Sequence, residues 1–303
     1  MEKPYILHML TSAPNLSPFD VNMAMDAGWD AVIPYTALEL SDIQALVQDA
    51  IFSRGPSGAK RTGLFIGGRD MTLALQMLET AQQAMVPPFE ISVMADPSGA
   101  FTTAAGMIGA VGDKLKQMHQ SDWSDCRVMV LGGTGPVGMV AAILATELGA
   151  QVTLMSRQRA KAETIVENCR KLCKQNAEQL QPAGNDEKQT LLAQTQVILA
   201  TAAAGIQMIN ADEIGVASTL KVAADVNAVP PSGIHGLDVM DDGQPLSDGQ
   251  SSAVGIGALA IGNIKYQAQH RLLKEMHQSD KPVYLDYEHA CAAAQRYIDE
   301  KRA

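Results

Sequence analysis

Aromatic residues make up only 4% of this 303-residue chain, too few for an aromatic-rich β-sandwich core, and this favours close helix–strand packing through small side chains. Cysteine is scarce as well: Cys126, Cys169, Cys173 and Cys291. Cys169 and Cys173 are spaced to share a helix face, but no further Cys or His pattern completes a zinc site. No metal is therefore expected, and the four read as free thiols in a reducing compartment. No uninterrupted apolar run reaches the roughly 18 residues that a membrane span needs. The opening residues lack the charged-then-apolar layout of a signal peptide, so a cytoplasmic protein is expected. Positive charge is also in deficit, with 23 Lys and Arg against 33 Asp and Glu, a net charge of −10. That argues against nucleic acid as a partner. An acidic chain that binds phosphates must gather its few cations locally.

What is present is abundant Gly, and abundant Ala and Met within a hydrophobic fraction of 47%, in a chain long enough for two α/β domains and a large core. Short apolar runs at residues 5–10, 31–35, 63–68 and 91–94 read as strands. Helical periods follow them, from Ser17-Pro18, over 41–52, over 71–85 and over 102–118. Such alternation predicts a parallel sheet covered on both faces. A polar break at 119–125 marks a domain boundary. Beyond it come strands at 128–131, 151–156, 196–202 and 220–226, and a long helix over 159–176. Residues 182–188 read as a surface excursion, 227–231 as a loop and 241–249 as turn-rich. Helices close the chain over 258–274 and 286–301. The expected layout is an α/β substrate domain over 1–118, completed by a C-terminal helix within 282–303, and a Rossmann-type dinucleotide-binding domain over 119–281.

The centre of the second half is Val128-Met129-Val130-Leu131-Gly132-Gly133-Thr134-Gly135-Pro136-Val137-Gly138. A strand meets a Gly-x-Gly-x-x-Gly turn, and a small-residue helix follows. Gly133 is expected to permit the tight turn, Gly135 to let backbone approach a pyrophosphate, and Gly138 to let the helix pack close. The helix start, with Thr134, Pro136 and Val137, then offers N–H groups and a positive dipole end to phosphate. NAD-selective folds place an acid at the end of the second strand to bind the ribose 2′-hydroxyl. Here that corner reads Ser156-Arg157-Gln158-Arg159-Ala160-Lys161. With three cations and no acid, it favours a 2′-phosphate on Ser156, Arg157 and Lys161, hence NADP, with NAD still possible. Cations at a helix start otherwise oppose its dipole. Ala202 and Asn227, at the ends of later strands, complete the expected cofactor contacts.

Four other stretches carry more polar chemistry than packing requires. They are Ser17-Pro18-Phe19-Asp20, Asp96 through Thr102-Thr103, Asp225 through Pro231, and Gly255 through Gly262 to Lys265. The first three follow strand ends, where open α/β sheets bind ligands. Each taken singly also suits an ordinary helix cap.

Together these stretches resemble the NAD(P)-dependent methylene-tetrahydromethanopterin dehydrogenases of bacterial one-carbon metabolism, relatives in fold of the methylene-tetrahydrofolate dehydrogenases. The likeness covers nearly the whole chain. It includes Ile6-Leu7-His8-Met9-Leu10-Thr11, Ser17-Pro18-Phe19-Asp20-Val21-Asn22-Met23-Ala24, Ile51-Phe52-Ser53-Arg54, Phe65-Ile66-Gly67-Gly68, Asp225-Val226-Asn227-Ala228-Val229-Pro230-Pro231 and Gly255-Ile256-Gly257-Ala258-Leu259-Ala260. The resemblance implies that Phe19, Thr103 and Lys265 lie at a pterin site in a cleft between two domains, and that the chain assembles into trimers. Some relatives carry His four residues after the lysine; here that position is Gln269, with His270 beside it. Helical spacing puts Gln269 on the face of Lys265. NAD-using relatives can carry an acid at the second-strand corner, whereas Ser156-Arg157 resembles the NADP-dependent branch.

The implied reaction passes hydride from a methylene bridge of a tetrahydromethanopterin-type pterin to the dinucleotide. Since no proton leaves, an obligate general base is not expected, and orientation dominates. Phe19 offers a flat face, Thr102 and Thr103 hydroxyls, and Gln269 an amide. Lys265 and Asp20 are the candidate catalytic residues; a full charge on Lys265 would oppose a developing cation, so it is expected to be neutralised by Asp20 or another acid or to be partly deprotonated. A methylene-tetrahydrofolate dehydrogenase, with or without cyclohydrolase activity, and a non-catalytic NADP-sensing module are the alternatives.

Overall fold

The computed structural model describes residues 3–246 and 251–303. The chain forms two α/β units, one of Met1–Thr102 with Tyr266–Ala293, the other of Thr103–Lys265 with Ala294–Ala303.

The first unit begins with β1 (Ile6–Leu10), α1 (Pro18–Asp26) and β2 (Ala31–Tyr35). Next come α2 (Ile43–Phe52), the short α3 (Gly55–Ala59), β3 (Thr62–Ile66), α4 (Met71–Gln83), β4 (Ser92–Ala95) and the start of α5 (Ala100–His119). All five residues of β3 are buried, as the run Leu64-Phe65-Ile66 foretells for a strand covered on both faces. Side-chain chemistry sets the helix starts. Pro18 takes the first position of α1, and the Asp70 carboxylate accepts from the Leu73 N–H to cap α4.

The second unit contains β5 (Arg127–Leu131), α6 (Pro136–Glu147), β6 (Gln151–Ser156), α7 (Arg159–Leu172), β7 (Leu180–Gly184), α8 (Lys188–Leu192) and β8 (Val197–Ala200). It continues through α9 (Ala211–Val216), β9 (Val222–Asp225), β10 (Asp242–Pro245), β11 (Val254–Ile256) and the start of α10 (Ala258–Gln278). The chain then supplies β12 (Tyr284–Leu285) to the first unit and ends in α11 (Tyr287–Arg302). The first sheet is all parallel, in the order β12-β4-β3-β1-β2. The second runs β10-β11-β9-β8-β5-β6-β7, parallel except for β10. The α/β class with parallel sheets is thus as the alternation predicts.

Several boundaries differ from the sequence reading, each for a tertiary reason. Of residues 182–188, expected as a surface excursion, 182–184 lie in β7, with Pro182 opposite Leu154, and only 185–187 form a surface turn. β7 is an edge strand, where a missing N–H goes unneeded. The stretch 241–249 contains β10, paired antiparallel with the unexpected strand β11, and its residues 247–249 lie outside the described ones. α7 stops at Leu172 rather than 176, because the Glu147 carboxylate and carbonyl take hydrogen bonds from the Lys174 N–H and the Gln175 amide. Cys173 therefore lies past the helix end. Burial pushes the Cys169 thiol up to about 12 and Cys173 to about 11, so both are neutral near pH 7.

The division at 102 instead of 118 follows from glycines in α5. A Cβ on Gly106 would stand 2.9 Å from the Ile261 carbonyl oxygen, and one on Gly109 would stand 2.7 Å from Ile298. Close approach of α5 to α10 and α11 thereby ties most of α5 to the second unit. For the same reason the last helix does not go whole to the first unit, and α10 is shared from Tyr266 onward.

Candidate functional site

The Gly-rich turn leaves the carboxyl end of β5, which lies between β8 and β6. The conformational demand falls on Gly132, at φ +70°, where a Cβ would meet the Ala202 nitrogen at 2.6 Å. This corrects the assignment of the tight turn to Gly133. Gly133 instead makes room for Leu154, whose Cγ would lie 2.6 Å from an added Cβ. Gly138 answers to its expected packing role: a Cβ there would be 2.6 Å from Thr201 Oγ1 and 2.7 Å from the Gly133 Cα. Gly135 differs from both. Its nearest neighbour would be the Gly132 carbonyl oxygen at 3.6 Å, so its open side can admit a ligand against the backbone. Gly135 is also the N-cap of α6, and Pro136 holds the first helical position. With no side chain at the cap, the helix start is left to an incoming acceptor.

Beside this turn lies a cavity of about 800 Å³, enough for a dinucleotide portion. Of the expected contacts, Thr134, Gly135, Ser156, Arg157, Lys161 and Ala202 line it. Gly133, Pro136, Val137, Gly138 and Asn227 do not line it. The Asn227 amide is committed within the protein, donating to the Pro231 carbonyl at 2.8 Å and accepting from the N–H groups of Val229 in its own loop and Gly205 after β8. Buried Asp225 stabilises the same loop by accepting from the Asn227 and Gly233 N–H groups, and burial raises its pKa above the usual carboxylate range. The sequence reading missed Gly132, Gln158, Asn185, Ile206 and Met208 on the cavity wall. Asn185 was hidden because its segment read as loop, while Gly132 precedes the motif proper.

Cations at the second-strand corner divide sharply. Arg159 pairs with Glu163 at 3.1 Å and with Glu187 at 2.7 Å. Arg157 and Lys161 have no side-chain ion pair among the described residues. No carboxylate lines the cavity among those residues. Free cations and no acid on the wall suit a 2′-phosphate better than a bare ribose.

In the first unit, a cavity of about 260 Å³ opens at the carboxyl ends of β1 and β3 and just past β4. Its wall includes Thr11, Ser17, Asp20, Gly68, Arg69 and Ser98. Asp20 is buried in the first turn of α1 and accepts from Gln269 Nε2 at 2.7 Å. Phe19, beside it, is exposed. Thr102 is fully buried, its hydroxyl donating to Asp96 Oδ2 at 2.6 Å and its N–H to Oδ1. The structure therefore makes Thr102 a helix-start residue, where the sequence suggested a substrate contact. Thr103 and Lys265 are half-buried and belong to the second unit. The structure thus joins Asp20 with Gln269 and withdraws Thr102; Arg69 was missed, since a lone surface arginine carries no sequence signal. Among the described residues, no group of His, Cys, Asp or Glu could hold a metal ion.

The family model for methylene-tetrahydromethanopterin dehydrogenase, N-terminal, matches residues 18–98. The NAD(P)-dependent methylenetetrahydromethanopterin dehydrogenase of Methylorubrum extorquens is 42% identical over 94% of this chain and 96% of its own. The chain belongs to this dehydrogenase family. Fold likeness extends further, at low identity. Quinate dehydrogenase from Corynebacterium glutamicum, solved with NAD, aligns with 98% of this chain and 99% of its own, at a TM-score of 0.56 and 11% identity. Shikimate 5-dehydrogenase from Listeria monocytogenes aligns with 99% of this chain and 96% of its own, at 0.55 and 14%. These two speak for the dehydrogenase fold alone. In this family member, no helix of the described residues is long and apolar enough to cross a membrane.

Proposed function

We propose that this protein oxidises methylenetetrahydromethanopterin to the methenyl form by hydride transfer to NAD(P), with NADP preferred. The observation that carries the cofactor preference is the cavity beside Gly132 and Gly135, edged by unpaired Arg157 and Lys161 and by no carboxylate. The pterin half rests on the family, since the Methylorubrum relative is named for that substrate.

The dinucleotide supplies the hydride acceptor. Gly132, Thr134 and Gly135 fit its pyrophosphate, because a Cβ on Gly135 would meet nothing nearer than the Gly132 carbonyl at 3.6 Å, which leaves the backbone open to a phosphate. Ser156, Arg157 and Lys161 hold the 2′-phosphate. On the pterin side, loss of hydride from a carbon between two nitrogens leaves a cation delocalised over N–C–N. No proton is released, so the side chains orient and stabilise more than they titrate. Phe19 presents a ring face, Thr103 a hydroxyl and Asp20 a negative charge held in place by Gln269. Lys265 orients the pterin, and its being paired or partly deprotonated keeps its charge from opposing the developing cation. The same reading carries a cytoplasmic location and assembly as a homo-oligomer, a trimer by family likeness.

Initial rates with methylene-tetrahydromethanopterin and methylene-tetrahydrofolate, each against NADP and NAD, test this directly. The methanopterin substrate with NADP should give the highest kcat/KM, and Arg157→Asp should shift preference toward NAD. A higher value with the folate substrate would favour a folate dehydrogenase. No absorbance change with either pterin would favour an NADP-sensing module.

A further inference from the structure

The proposed 2′-phosphate site stands among side chains of both charges. Around the corner of β6 and α7 lie the cations Arg157, Arg159, Lys161 and Lys188, and the acids Glu163, Asp186 and Glu187. Lys188 is engaged elsewhere, paired with Glu213 at 2.7 Å. Arg159, first residue of α7, receives Glu187 through both carboxylate oxygens at 2.7 Å and Glu163 at 3.1 Å. Glu187 in turn accepts from the Gly184 N–H at 2.9 Å, which fixes the turn after β7 that carries Asn185. Asn185 lines the cavity, as do Arg157 and Lys161. One guanidinium thus engages two carboxylates and pins the turn that supplies a wall residue.

We infer that Arg159 determines cofactor specificity without touching the cofactor: by masking Glu187 and Glu163 it leaves Arg157 and Lys161 free to select a 2′-phosphate. The inference rests on the NADP reading above. Without Arg159, two unmasked carboxylates at the same corner would compete for the free cations and repel a dianionic phosphate, while NAD, lacking that phosphate, would be little affected. A simple field effect of one more cation predicts additive changes, whereas masking predicts coupling between Arg159 and Glu187.

Dissociation constants for NADPH and NADH, measured by fluorescence titration of the full-length protein at low and high salt, test this. Arg159→Gln should weaken NADPH about fivefold to tenfold at low salt, leave NADH within twofold, and lose much of its effect in about 0.5 M salt. Glu187→Gln alone should change NADPH binding less than twofold, yet recover most of the loss when added to Arg159→Gln. Equal weakening of both dinucleotides by Arg159→Gln, or the same gain from Glu187→Gln in both backgrounds, would overturn the masking role. If the wild type binds NADH as tightly as NADPH, the NADP reading itself fails, and Arg159 has no selectivity to protect. An unchanged preference in Arg157→Asp, beside a large coupled effect at Arg159, would instead mean that Lys161 holds the phosphate.

Discussion

Gln269 Nε2 donates to Asp20 Oδ1 at 2.7 Å, and both side chains are buried although 249 positions separate them. A buried carboxylate is tolerated only where donors meet it. Gln269→Leu removes one of those donors and should cost about 1–3 kcal/mol of stability. A urea unfolding series, with the slope checked for constancy, would read this as a lower midpoint. A loss below about 0.5 kcal/mol would show that other donors suffice for Asp20.

The turn after β5 allows a sharper steric test. Gly132→Ala combines a positive φ with a Cβ 2.6 Å from the Ala202 nitrogen, and Gly138→Val drives its Cβ into Thr201 and Gly133. Both should weaken dinucleotide binding by more than about tenfold and lower the melting temperature, because backbone must move at the junction of β5 and β8. Gly135→Ala should spare stability and reduce binding alone, as its Cβ meets nothing nearer than 3.6 Å in the free protein. Equal effects at all three positions would contradict this division of labour.

Lys265→Ala separates chemistry from cofactor binding. Steady-state kcat should fall by at least about tenfold while the NADPH dissociation constant stays within twofold, as expected for a residue that orients the pterin. An unchanged kcat would remove Lys265 from the mechanism.

Asp286 and His289 make stability depend on pH. Asp286 Oδ1 accepts from the Glu288 N–H and from His289 Nδ1, at 3.0 and 2.7 Å, at the start of α11. The hydrogen bond from His289 to Asp286 raises the imidazole pKa above 6.5. Burial opposes ionisation of Asp286, but the bonds from His289 outweigh it and hold the carboxyl below 3.8. The imidazolium contribution is thus complete below pH 6.5 and fades as pH rises through the folded-state value of His289. The carboxylate contribution is complete above 3.8 and fades as pH falls through the lowered value of Asp286. Melting temperatures from pH 6 to 8.5 should fall more steeply in wild type than in His289→Gln. Parallel slopes would show that the pair does not carry this dependence.

The two parallel sheets were legible because their strands are short apolar runs separated by capped, amphipathic helices. Motif spacing likewise exposed the Gly-rich turn, and the residue types at 156–161 exposed the cationic corner beside it. β7, β10 and β11 were obscured because Pro182, Pro245 and Gly255 lower strand propensity. Edge position and pairing partners override propensity there, and neither is a local property.

The sequence alone determined the α/β class, the cofactor turn and the family, since periodicity, glycine spacing and residue blocks are written along the chain. Tertiary structure decided which side chains are free to act. Only folding shows that Gly132, not Gly133, makes the turn. Only folding shows that Thr102 and Asn227 are already hydrogen-bonded, and that of three neighbouring cations Arg159 is engaged while Arg157 and Lys161 are not. A residue type states what a group can bind; its availability depends on partners that arrive from distant segments. Gln269 reaching Asp20 is one such arrival, and Glu187 reaching Arg159 is another.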